Sequence, residues 1–133
     1  MENKKVLIVG IDPFLIDFSL PEFGAFPGMT ANKVEMGING AITQLNQKGY
    51  IADKCWLDFG TTAGEILERK LTQLDPGIVL IGAGIRVPAA TFELFEQLIN
   101  VVHAHAPKAK ICFNTSPADT VMAVERVTNS YSL

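Results

Sequence analysis

Residues 78–86 read IVLIGAGIR, and the first half of that stretch decides the fold. Ile78-Val79-Leu80-Ile81 is apolar at every position, so neither face of the strand it forms can meet water. A strand with two dry faces belongs in the middle of a parallel sheet that helices cover on both sides. A second run has the same character, Val6-Leu7-Ile8-Val9-Gly10 near the start of the chain, within the strand Lys5–Gly10. Two further strand-like runs carry charge, Tyr50–Leu57 through Asp53 and Lys54, and Lys110–Phe113 through Lys110. These two belong at the edges. The expected strands are therefore Lys5–Gly10, Tyr50–Leu57, Ile78–Gly82 and Lys110–Phe113, in the spatial order 2-1-3-4. The alternative order 3-2-1-4 would leave the third strand at an edge, against its composition.

Between the strands run helical patterns, over Ala31–Lys48, Ala63–Leu74, Ala90–Ala106 and Pro117–Thr128. Strand-helix alternation of this kind builds βαβ units. The fold class is α/β: a three-layer, doubly wound, four-stranded parallel sheet, flavodoxin-like or Rossmann-like, lacking the fifth flavodoxin strand. The whole chain, 1–133, reads as a single α/β domain, a length that suits one core. Its terminal punctuation agrees. Thr30 can cap the first helix and Gly49 follows its end. Thr62 to Glu65 has the spacing of a capping box, Asp75-Pro76-Gly77 is a turn, and Ser116-Pro117 offers a cap and a first-turn proline, with Asp119 in the first turn. Val34, Ile38, Ala41, Ile42 and Leu45 form one apolar stripe, and Phe95, Leu98, Ile99, Val102 and Ala106 another. Gly37 and Gly40 each weaken the first helix by about 1 kcal/mol relative to alanine, which implies close packing of that helix on the sheet. The SYSL tail, 130–133, is expected to fray.

Composition narrows the function without choosing it. Apolar residues make up 48% of the chain and charged residues 19%, with a formal net charge of −3. No basic block offers a nucleic-acid groove. The N-terminal MENKK leads directly into a short strand, which is no signal sequence or membrane span. The chain reads as cytoplasmic, with no membrane partner. Cys55 and Cys112 stand in separate strands and form neither a disulfide framework nor a zinc pattern. His103 and His105 are two apart on a helix and diverge by about 200°, so they do not share a metal. No metal or cofactor is expected.

In a doubly wound sheet, ligands bind outside the carboxyl ends of the strands where the winding reverses. The order 2-1-3-4 puts that crevice between the first and third strands. Gly10 and Asp12 border it from one side, and Gly82, Gly84 and Arg86 from the other. Asn114, Thr115 and Ser116 follow the fourth strand next to it, with Asp58 and Gly60-Thr61-Thr62 farther out. Gly82-Ala83-Gly84 lets backbone approach a ligand, but it lacks the third glycine of a dinucleotide fingerprint and precedes a loop with Pro88. No P-loop pattern is present. Arg86 is the one cation of the crevice, able to grip a carboxylate or phosphate, or to pair with Asp12. Asp12 is the catalytic candidate, as acid or base. Ser116 with Asp119 reads as a cap rather than a nucleophile. A phosphoacceptor site would need an aspartate where Gly82-Ala83-Gly84 stands.

Residues 9–18, 80–86 and 98–115, with Gly10-Ile11-Asp12-Pro13, Gly82-Ala83-Gly84-Ile85-Arg86 and Ile111-Cys112-Phe113-Asn114-Thr115 at their centres, resemble a group of small bacterial proteins of unknown function. The resemblance runs over nearly the whole chain. It implies a bacterial cytoplasmic protein and brings no activity with it. The apolar third strand, glycine-rich turn and arginine also resemble the pyroglutamyl peptidase shape. No cysteine here begins a helix, so that activity is not implied. Three readings follow: a module that binds a small anionic metabolite through Arg86 and backbone amides, a small hydrolase or lyase acting on a carboxylated or phosphorylated compound, or a structural subunit without ligand.

One segment remains, Asp12–Met29. It is long for a strand-to-helix connection, which usually takes about 2–6 residues. It carries Phe14, Phe18, Phe23 and Phe26, three prolines and two glycines. It is expected to fold as a lid over residues 82–86 and to pack against a second subunit, those phenylalanines supplying much of a homodimer contact.

Overall fold

The computed structural model describes residues 3–24 and 26–130. Residues 1–2, Ala25 and 131–133 lie outside the described residues, and with them most of the tail expected to fray. Four strands form one parallel sheet: β1 (Lys5–Ile11), β2 (Ile51–Leu57), β3 (Ile78–Ile81) and β4 (Lys110–Phe113). Their order is β2-β1-β3-β4, as the charge distribution required. β1 pairs with β2 from Lys5 opposite Ile51 to Ile11 opposite Leu57, and with β3 from Val6 opposite Ile78 to Val9 opposite Ile81.

Helices cover both faces. They are α1 (Ala31–Gln47), α2 (Ala63–Leu74), α3 (Ala83–Arg86), α4 (Phe92–His105) and α5 (Thr120–Ser130). The alternation of β1 separates two cores. Leu7 and Val9 pack with Leu67, Leu71, Leu98 and Val102 beneath α2 and α4. Val6 and Ile8 pack with Ile38, Leu45, Val124 and Val127 beneath α1 and α5. β3 divides in the same way, Val79 and Ile81 to the first core, Ile78 and Leu80 to the second. All four residues of β3 are buried, which is why it tolerates no charge.

Several local expectations need correction. The Gly82-Ala83-Gly84 turn opens directly into a helix, the single turn α3, before the chain reaches Pro88. The fourth helical stretch begins as a 3-10 turn, Pro117–Asp119, and becomes α-helical at Thr120. Thr62 makes no capping bond to its own helix. Its hydroxyl donates instead to Asp58 Oδ2 at 2.7 Å, and Asp58 accepts the amides of Gly60 and Thr62. Those bonds, led by the Thr62 hydroxyl, hold the Asp58 carboxyl below the usual carboxylate range. Thr30 does cap α1, accepting the Lys33 amide, and Ser116 and Asp119 form a complete capping box.

The two glycines of α1 have different explanations. A Cβ on Gly37 would come within 2.6 Å of Pro117 Cβ, so this glycine admits the loop before α5, not the sheet. A Cβ on Gly40 would meet nothing within 4 Å, and packing does not explain it.

Cys55 and Cys112 are both free and buried, as expected of thiols on strands at opposite edges of the sheet. They also face different cores. Burial pushes Cys55 up to about 11 and Cys112 up to about 12, so both remain protonated at neutral pH and are poor nucleophiles. Among the described residues, no helix is long and apolar enough to cross a membrane.

Candidate functional site

The long connection after β1 is built from tight turns. Asp12 Oδ1 accepts the Phe14 amide at 3.0 Å and starts a 3-10 turn at Pro13–Leu15. Asp17 accepts both the amide and the hydroxyl of Ser19, which holds its carboxyl below the usual range. A second proline-led 3-10 turn follows at Pro21–Phe23. Gly28, at φ 75°, takes the left-handed conformation that brings the chain back to the cap of α1. Proline fixes its own φ and starts such turns at low entropic cost. The prolines therefore order the segment rather than merely interrupting it.

This path aims Phe18, Phe23 and Phe26 inward and leaves Phe14 exposed. Phe23 is 3% exposed, and its ring meets Phe18 with centroids 6.2 Å apart and planes tilted by 59°. Phe18, Phe23 and Phe26, with Met29, roof a cleft at the carboxyl ends of β1 and β3. Its floor is Gly10, Gly82, Ala83 and Gly84, and Trp56 closes one wall. Gly10 is required there, because a Cβ would lie 2.8 Å from the Trp56 ring. The cleft is narrow, about 60 Å³. Ligand pockets usually measure about 300–1,000 Å³, so with the roof down there is room only for a few water-sized groups.

Of the residues singled out in the sequence, the cleft brings together Gly10, Gly82, Gly84, Asn114 and Ser116. Asn114 is 3% exposed and fully engaged: Oδ1 accepts the Ala83 amide at 2.9 Å, and Nδ2 donates to Thr120 Oγ1 at 3.0 Å. It ties the glycine turn after β3 to the start of α5. Ser116 Oγ accepts the Ala118 amide.

Asp12, Arg86 and Thr115 do not line the cleft. The Asp12–Arg86 pair considered from the sequence is not formed among the described residues. Arg86 turns toward β4, where Nη2 donates to the Asn114 carbonyl at 3.0 Å and the guanidinium lies 5.8 Å from the Phe113 ring centroid. Its Nε is buried without a partner among the described residues. Thr115 is occupied with Asp119, through both its amide and its hydroxyl. Burial works against the Asp119 charge. The bonds from Thr115 and Ser116 and the nearby Arg126 outweigh it and hold the carboxyl below its usual range.

His103 and His105 lie in the last turn of α4, and His105 Nε2 approaches Glu68 of α2 at 3.6 Å. Sequence reasoning missed Trp56, Met29, Val34 and Ile38 as lining residues. The first helix's apolar stripe held the signal for the last two, since its amino-terminal end must lie beside the crevice.

Fold and site together define an open α/β protein with an aromatic-roofed, apolar cleft at the winding switch. Compared with family profiles, with curated proteins and with solved structures, the chain finds no match in any of the three.

Proposed function

We propose that this protein is a cytoplasmic small-molecule binding module whose site is the cleft between β1 and β3, with residues 12–29 as a cover that lifts to admit the ligand. The carrying observation is the lining itself, aromatic and aliphatic side chains over a floor of glycine backbone. Such a surface selects a small organic molecule with an apolar body. An anionic head group would be met by the Gly84 amide and the Ser116 hydroxyl, since the Gly82 and Ala83 amides are held by Val9 and Asn114 and Arg86 faces β4. The enzyme reading has less support, because the Asp12 carboxylate is spent on a turn and Ser116 on a cap.

Two naphthalene probes test this, the anionic 8-anilinonaphthalene-1-sulfonate and the neutral N-phenyl-1-naphthylamine. Saturable binding of the neutral probe to the native protein is expected, with the anion binding about as well or better. Gly84→Leu is the blocking variant. Gly84 is helical, lines the cleft, and has open space where its Cβ would be. The variant should melt no lower than wild type and bind either probe about tenfold more weakly. Unchanged binding to Gly84→Leu, or none to wild type, would reject the site.

A second reading, self-association, rests on one observation. Phe14 is 59% and Leu15 53% exposed, side by side on the first turn of the cover. Of the four phenylalanines expected at a homodimer contact, Phe14 alone is exposed, Phe18 and Phe26 being half-buried and Phe23 buried. If this turn joins two copies, light scattering at micromolar concentration gives twice the chain mass for wild type and the single mass for Phe14→Asp. A wild-type monomer rules the dimer out.

A further inference from the structure

The opposite end of the sheet holds a second cavity, of about 250 Å³, where the strands begin. Among the described residues, its lining includes Lys4, Lys108 and Lys110, and no aspartate or glutamate. Three of the chain's eleven basic side chains thus converge on one hollow of a protein whose net charge is −3. Among the described residues, none of the three makes an ion pair. The ion pairs among the described residues are Lys48 with Glu125, Lys70 with Asp53 and His105 with Glu68.

The hollow is shaped by rigid parts. Tyr50 and Ile78 are buried, and the Tyr50 hydroxyl meets Thr128 Oγ1 at 3.1 Å, which in turn donates to the Val124 carbonyl. Gly77 lies against Asn3, where a Cβ would overlap the Asn3 carbonyl oxygen. Lys4 Nζ stands over the Tyr50 ring, 5.1 Å from its centroid, which favours a cation there but removes none of its charge. Lys110 Nζ approaches the Val127 carbonyl at 3.4 Å near the end of α5, its one side-chain hydrogen bond among the described residues. Lys108 is exposed in the turn before β4 and makes no side-chain hydrogen bond among the described residues.

Like charges gathered around one hollow repel unless a counter-charge joins them. The geometry points to a compact polyvalent anion of the phosphate class, bound at the amino edge of the sheet by Lys4, Lys108 and Lys110. Ammonium groups bind phosphate as point charges without a fixed fork, and three of them match several negative charges better than one carboxylate. The volume lies below that of drug-sized pockets, which favours a diphosphate-sized group over a larger ligand. This site is independent of the apolar cleft.

Inorganic pyrophosphate is the probe, followed by amide chemical shifts of the full chain at constant ionic strength. Saturable shifts are expected at residues 3–4, 50, 77–78, 108–110 and 128. Lys108→Ala and Lys110→Ala should each weaken binding about tenfold, the size of one charge-assisted contact, while Lys108→Arg stays within about threefold of wild type. Raising salt should weaken binding steadily. Lys108 is exposed and packs on no core, so its variants keep the fold, and a thermal melt checks this. The proposal fails if shifts are absent, if they centre elsewhere, or if Lys108→Ala binds as wild type does.

Discussion

Phe23→Ala should destabilise the protein by about 3 kcal/mol and make residues 17–29 cleavable by protease. Removing a buried phenylalanine side chain costs about 3–5 kcal/mol when the surroundings cannot collapse. Phe23 is nearly fully buried, yet it stands on a 3-10 turn of the cover rather than in either core. Its neighbours on the chain hold one another mainly through short-range turns, Phe23 to Leu20, Gly24 to Pro21, Phe26 to Phe23 and Met29 to Phe26. Such a segment can open by itself, with a free energy below that of global unfolding. The measured loss therefore stays near the lower figure, because the cover detaches before the sheet melts. Denaturant titration gives the size, and limited proteolysis read by mass spectrometry gives the place. Wild type resists cleavage within 17–29 and the variant does not. Equal resistance would mean that the phenylalanine does not hold the cover down.

The second large effect is expected at Asn114, where Asn114→Ala should cost about 2–3 kcal/mol. The residue is buried and uses both ends of its amide, on the Ala83 N–H and the Thr120 hydroxyl. Alanine leaves the Ala83 N–H without its partner, and a buried unsatisfied group costs about 1–3 kcal/mol. A small void adds to that. Thr120 is less exposed to the loss, since its hydroxyl also donates to the Pro117 carbonyl at 2.9 Å. Thr120→Val removes the hydroxyl at almost constant volume and should cost about 1–2 kcal/mol. The double variant should fall short of the sum by about 1 kcal/mol, the mark of two groups acting as one network. Strict additivity, or a loss at Asn114 under about 1 kcal/mol, would show that the glycine turn does not depend on this tie. Because Gly82 and Gly84 floor the cleft, probe binding should weaken in Asn114→Ala even below its melting temperature.

The two substitutions mark the limit of what could be read from residues in order. Asn114 was placed beside the crevice from topology alone, since it follows the fourth strand of a known order. Its partners, Ala83 and Thr120, come from two other elements and carry no sequence signal that pairs them. Phe23 was legible as a side chain with much apolar area to cover, because a segment with four phenylalanines buries most of them. Which of the four face inward was not legible, since the answer depends on the turns that Asp12, Pro21 and Gly28 impose. Arg86 shows the same limit more sharply. The chain places its Cα at the crevice, but a long side chain can turn either way, and the Asn114 carbonyl and the Phe113 ring draw it toward β4.

By itself, then, the sequence determined the four strands, their central and edge positions and the order β2-β1-β3-β4. It could do so because burial on two faces is written locally, residue by residue, in Val6–Val9 and Ile78–Ile81. It also located the carboxyl-edge crevice, which follows from that order. The lid over residues 82–86 was also expected from the sequence; only the tertiary structure decided that the crevice is apolar, which phenylalanines roof it, that Asp12 and Arg86 stay apart, and that Lys4, Lys108 and Lys110 line one cavity at the other end. Those outcomes depend on side chains far apart in the chain competing for the same space and the same partners. No periodicity within one segment records that competition.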